Sequence, residues 1–187
     1  GTLPPFSKSD GVKCFALGGV IIPEGLWHEI DKELAVLKTH YGIDGEIKWR
    51  YFAPQMISAK PTPLSHLEAA KKEEFRMKLY DLLKKFKSVK SISAIVDIQK
   101  AYQLDYVKNE NDLYWFAYKQ LTERYQYYLQ DLSRTVGSKI NGIIICDHRQ
   151  PKDDHQLRHL HQKLMLGSQK HFSRYQNLIE GVFIAPS

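Results

Sequence analysis

The sequence predicts an α/β fold, a mixed sheet flanked by helices. Three observations carry that prediction. Apolar runs of strand length occur at residues 14–23, 91–97 and 142–147. Between them apolar residues recur at helical spacing, and the two patterns alternate along the chain as strand, helix, helix, strand, helix, strand, helix, strand.

Residues 1–12, with Pro4, Pro5, Ser7, Ser9 and Gly11, read as a loop. The run 14–23 is continuous and ends at Pro23, as a buried strand does, with Gly18 and Gly19 allowing a bulge or a close backbone approach. In 24–40, Leu26, Ile30, Leu34 and Leu37 mark an amphipathic helix that begins after a proline and stops before Gly42. Residues 65–86 give a second helix, with Phe75, Leu79, Leu82 and Phe86 on one face and a capping box from Ser65 to Glu68. Between the two helices, residues 42–49 form a loop or short strand bracketed by glycines, and a proline-containing connector follows around 54–63.

The alternation at 91–97 suits a strand. Residues 111–132 predict a long helix with Leu113, Ala117, Leu121, Arg124 and Tyr128 along one stripe, so that the Arg124 charge points inward and needs a partner. The run 142–147 reads as a buried strand, 153–166 as a helix and 181–185 as a final strand.

A length of 187 residues suffices for one domain with its own core. Apolar residues at 43% and charged residues at 26% exclude a disordered or fibrous chain. No apolar run approaches the roughly 20 residues of a membrane helix, and residues 1–6 lack the basic and apolar regions of a signal peptide. Cys14 and Cys146 each sit in an apolar run, as small buried thiols do. A reducing, cytoplasmic setting is therefore expected.

Lys and Arg outnumber Asp and Glu 27 to 21, an excess that favours a polyanionic partner. Lys71, Lys72, Arg76, Lys78, Lys84, Lys85, Lys87 and Lys90 crowd one segment, either as a phosphate-facing surface or as a solvated helix face.

Asp147 follows an apolar strand directly, and ligands of open α/β sheets gather at the carboxyl ends of strands. His148 and Arg149 add a titratable group and a fixed cation, a set suited to a metal and a phosphate. A strand-end Asp that caps the next turn is the structural alternative. Glu46 and Lys48 fall on one side of an extended segment, as an acid and base of one site or as a surface ion pair. Asp97 ends another strand and is a third candidate carboxylate. Zinc binding by His155, His159 and His161 is disfavoured, because no cysteine pair accompanies them. Tyr114, Trp115, Phe116, Tyr118, Tyr125, Tyr127 and Tyr128 offer ring faces to bases, or else fill the core.

In order along the chain, the 15–23 segment with Trp27 after it, Glu46-Ile47-Lys48-Trp49, the 93–97 strand, the 118–128 helix and the 143–149 segment resemble the domain-of-unknown-function family 3800. Its members are ribonuclease H-like. The resemblance covers most of the chain and implies a single ribonuclease H-like domain over 1–187 that lacks the family's first strand and its C-terminal acidic helix. Gly1 stands where the glycine closing the family's first acidic motif would stand. Glu46 and Lys48 match the family's Glu-Ile-Lys, and Asp147 and Arg149 its Asp-x-Arg. By resemblance Glu46 and Asp147 are metal-binding carboxylates, with Lys48 and Arg149 organising the site or meeting phosphate. The implied activity is a Mg²⁺- or Mn²⁺-dependent nuclease acting on nucleic acid, and the alternative is a non-catalytic nucleic-acid-binding or defence-complex module of the same fold.

Overall fold

The computed structural model describes residues 13–53, 60–166 and 175–185. The loop expected at 1–12, the 54–59 part of the connector and the last two residues lie outside them. The chain forms two compact units, Gly1–Gly19 with Ile92–Ser187, and Val20–Ser91.

The smaller unit is built on α1 (Trp27–His40) and α2 (Ala69–Lys85). Its core is Tyr41, Ile43, Leu64 and Phe75, with Leu64 and Phe75 fully buried. Past the end of α1, Gly42 takes a φ of 61°, a left-handed turn that side chains with a Cβ resist. That turn sends the chain into the loop carrying Glu46 and Lys48. The capping box expected at Ser65 and Glu68 is replaced by a turn one step earlier. Ser65 Oγ accepts from the Thr62 backbone N–H, and α2 starts after Glu68 with no side-chain cap.

The strand β1 (Cys14–Ile21) pairs antiparallel with β2 (Lys90–Asp97), and in the larger unit β3 (Gly142–Cys146) pairs parallel with β4 (Leu178–Ile184). Among the described residues these are two separate two-stranded sheets, where the sequence suggested one mixed sheet. The α/β class stands. A short helix α3 (Ile98–Ala101) follows β2, and Asp97, placed as a candidate site carboxylate, instead accepts from the Lys100 backbone N–H as its N-cap. The helix α4 (Glu110–Val136) opens with a full capping box between Asn109 and Asp112 and ends at Gly137 with φ 74°. The helix α5 (Pro151–Leu166) joins β3 to β4, as a parallel pair requires.

The helix α4 changes its buried side along its length. Its first half places Leu113 and Ala117 against Val96, Ile98, Phe15 and Leu17. Its second half places Leu129 and Tyr125 against Ile144, Leu178 and Met165. At about 100° per residue Arg124 lies near the direction of Leu113 but roughly 140° from Leu129. Arg124 is accordingly exposed, with its guanidinium 6.0 Å from the Tyr127 ring, which corrects the inward charge expected from one straight stripe.

The buried residues of that second half include Thr122 and Gln126. Gln126 Nε2 donates to Asn177 Oδ1 at 2.9 Å, and the Asn177 backbone N–H donates back to Gln126 Oε1 at 3.1 Å. Asn177 Nδ2 donates to the Ile140 carbonyl at 2.7 Å, so one asparagine ties α4 to the chain leading into both β3 and β4. Gly142 meets the same surface closely, since a Cβ there would lie 2.4 Å from Tyr125 Oη.

Three burial expectations are corrected. The strand β1, read as a buried strand, has only exposed and half-buried residues. The strand β3 is covered on one face only, with Ile143 and Ile145 46% and 55% exposed. Cys14 is exposed, because it begins β1 on the outward side, whereas Cys146 is partly covered. Among the described residues no helix is long and apolar enough to cross a membrane.

Candidate functional site at the end of β3

The parallel pairing runs to the last residue of β3, where Cys146 sits opposite Ile184 and its carbonyl accepts from the Ala185 N–H at 2.8 Å. The chain then leaves the sheet through Asp147, His148 and Arg149 and enters α5 at Pro151, a residue suited to the first helical position.

Asp147 is exposed. The two residues after it are held by a carboxylate that the sequence reading did not single out. Asp154, in the first turn of α5, is 4% exposed. Its Oδ2 lies 2.5 Å from His148 Nδ1 and its Oδ1 accepts from the Arg149 backbone N–H at 3.2 Å. Both oxygens are therefore committed to fixing the loop, and both bonds involve a charged acceptor. The signal was present in the spacing. Asp154, Leu157, His161 and Met165 form the buried stripe of α5, and a carboxylate on such a stripe must have a partner.

Arg149 turns back across α4. Its Cζ stands 4.2 Å from the centroid of the Tyr114 ring, and its Nη2 is 3.6 Å from Asp153 Oδ2. Burial pushes the Tyr114 phenol up to about 12, so it stays a neutral donor. Burial likewise pushes the Cys146 thiol up to about 11, which leaves it unreactive as a nucleophile. Behind Tyr114, the buried Tyr118 hydroxyl lies 2.8 Å from His161 Nδ1, and burial lowers the His161 pKa. His161 is thus a core residue, while His155 and His159 are exposed on the other side of α5.

Glu46 and Lys48 belong to the smaller unit. Lys48 Nζ is 2.9 Å from Glu46 Oε2, and their side chains are 36% and 54% exposed, respectively. This is the surface ion pair that the tetrapeptide alone suggested. Such a pair contributes about 0–1 kcal/mol. The basic segment also takes the form of a solvated helix whose cations are partly paired with nearby carboxylates. Lys71 bonds Glu74, Arg76 bonds Glu73, and Lys85 bonds Glu33.

Asp147, Asp153 and Asp154 lie in the segment that follows β3, with Arg149 and Lys152 between them. Among the described residues no three His, Cys, Asp or Glu side chains gather as a cation cage. A Mg²⁺ ion does not need one, since it is commonly held by one or two carboxylates with water and substrate phosphate. The exposed oxygens of Asp147 fit that requirement.

No family model, curated protein or solved structure matches the chain.

Proposed function

We propose that the chain is a Mg²⁺- or Mn²⁺-dependent phosphodiesterase of the ribonuclease H-like type that acts on nucleic acid in the cytoplasm. The observation that carries this reading is the end of β3, where an exposed carboxylate, Asp147, is followed by a loop that the buried Asp154 holds in place. A strand terminus of this kind is where α/β proteins bind and transform ligands.

Asp147 is the residue that would hold the metal. A bound divalent cation would polarise a phosphoryl oxygen and generate a nucleophilic water. This chain's own residues position and balance charge. Asp154 orients His148 and the Arg149 backbone, and the Arg149 guanidinium is held on Tyr114 by ring contact.

A second reading, a non-catalytic nucleic-acid-binding module, is favoured by the lack of a three-donor cluster among the described residues. One experiment separates the two. Labelled single- and double-stranded DNA and RNA are incubated with Mg²⁺, Mn²⁺ or chelator, beside Asp147→Ala. The enzyme reading expects metal-dependent cutting that the variant loses. Salt-sensitive binding without turnover would replace it by the binding module.

A further inference from the structure

The geometry points to His148 as a nitrogen ligand, through Nε2, of the cation at the end of β3, so that the site selects a transition-metal ion such as Mn²⁺ over Mg²⁺. The inference rests on the proposed function for a cation beside Asp147, and adds a second donor and the class of metal.

The ring is held in the state that ligates. An ionised carboxylate only accepts hydrogen bonds, so the 2.5 Å contact between His148 Nδ1 and Asp154 Oδ2 places the ring proton on Nδ1. In the neutral imidazole the lone pair then lies on Nε2. Among the described residues nothing takes up that lone pair, and Nε2 is not one of the buried side-chain atoms left without a partner. It therefore meets solvent, in keeping with a His148 side chain that is 32% exposed.

A carboxylate on one ring nitrogen and an open second nitrogen is the arrangement that orients metal-binding histidines. Asp154 is itself fixed, buried in the first turn of α5 with its other oxygen on the Arg149 N–H. The exposed His155 and His159 accept no such partner among the described residues and lack that orientation. Asp147 supplies the oxygen donor. It immediately precedes His148 and is exposed, and the pair lies outside helix and strand, so the alternation that sends consecutive strand side chains to opposite sides does not bind it. The nearest cation, Arg149, is drawn away onto Tyr114 and Asp153. One carboxylate with one imidazole is a mixed donor set. Mg²⁺ keeps to oxygen and water and gains little from nitrogen, whereas first-row transition ions bind such a set with an affinity that rises from Mn²⁺ towards Co²⁺.

The test titrates the whole chain with Mn²⁺, without nucleic acid. The free ion is followed by electron paramagnetic resonance, and spin-echo modulation reads which nuclei are bonded to the bound ion. Bound Mn²⁺ is expected to couple to an imidazole nitrogen. That coupling should survive His155→Ala and His159→Ala and vanish in His148→Ala, which should also weaken Mn²⁺ roughly tenfold or more while leaving Mg²⁺ binding, read by calorimetry, within about threefold. Asp154→Asn can present an N–H to Nδ1 and move the ring proton to Nε2, so it should weaken Mn²⁺ roughly ten- to hundredfold. Far-UV spectra check that the variants fold, and the nitrogen coupling of the wild-type chain stands without any of them.

Bound Mn²⁺ that couples to no nitrogen, a nitrogen coupling that persists in folded His148→Ala, or no binding of Mn²⁺ would overturn the proposal and leave His148 as the structural partner of Asp154. The cleavage assay keeps the two ideas apart. A chain that cuts nucleic acid with Mg²⁺ or Mn²⁺ and shows no nitrogen coupling loses only this inference. A chain that holds Mn²⁺ through His148 and cuts nothing keeps it and loses the enzyme reading.

Discussion

Replacing Asp154 with alanine tests whether the end of β3 is held from beneath. The carboxylate is 4% exposed and accepts from His148 at 2.5 Å and from the Arg149 N–H at 3.2 Å. A hydrogen bond to a charged group contributes about 1.5–3 kcal/mol, and leaving the Arg149 amide without its partner adds roughly 1 kcal/mol. Removing a buried charge recovers part of that through relieved desolvation. The expected net loss is about 2–3 kcal/mol. With a urea slope near 2 kcal/mol/M for a chain of this size, the midpoint should fall by roughly 1–1.5 M. The control is Asp153→Ala, whose more open contact with Arg149 at 3.6 Å predicts a loss below about 1 kcal/mol. If Asp154→Ala loses less than about 0.5 kcal/mol, as an ordinary surface substitution does, the loop is not anchored by that carboxylate and the argument for an ordered site at Asp147 fails with it.

Gln126→Leu keeps the volume but strips Asn177 of the partners of its carbonyl oxygen and backbone N–H. Urea denaturation should show a loss of about 2–4 kcal/mol, and a value under about 1 kcal/mol would mean that the pair is solvated. His161 titrates in the opposite sense to a paired histidine. Because burial lowers its folded pKa, the unfolded chain binds more protons, and its contribution, complete at neutral pH, is lost as pH falls through the ordinary histidine value of about 6.5 toward the lowered one. Wild type should therefore lose more stability between pH 7 and pH 5 than His161→Gln, and parallel pH profiles would refute the assignment.

Strong local periodicity was legible and coupling between elements was not. The helices at α1, α4 and α5 and the strands β2 and β3 follow from apolar spacing and flanking prolines and glycines. One stripe read along α4 misplaced Arg124, because the helix buries opposite sides at its two ends. That switch is set by the partners of each half rather than by the helix itself. Gln126 and Asn177 were missed for a related reason. Polar side chains look solvent-facing until their mutual bonding is seen. Of the aromatic residues of α4, Tyr118 lies fully in the core, while Tyr114 and Trp115 line a shallow cleft.

The site residues divide by how firmly each is committed. An exposed Glu46–Lys48 pair contributes about 0–1 kcal/mol, so the pair by itself is no argument against a metal. Asp154 is the reverse case. Its two bonds lie under the chain, and withdrawing it toward a cation would strand a histidine and a backbone amide at several kilocalories. Asp154 is thus structural, and Asp147, exposed beside a loop that cannot easily shift, is the carboxylate free to meet a ligand. A residue of that kind is best placed for chemistry because its neighbours are fixed while it is not.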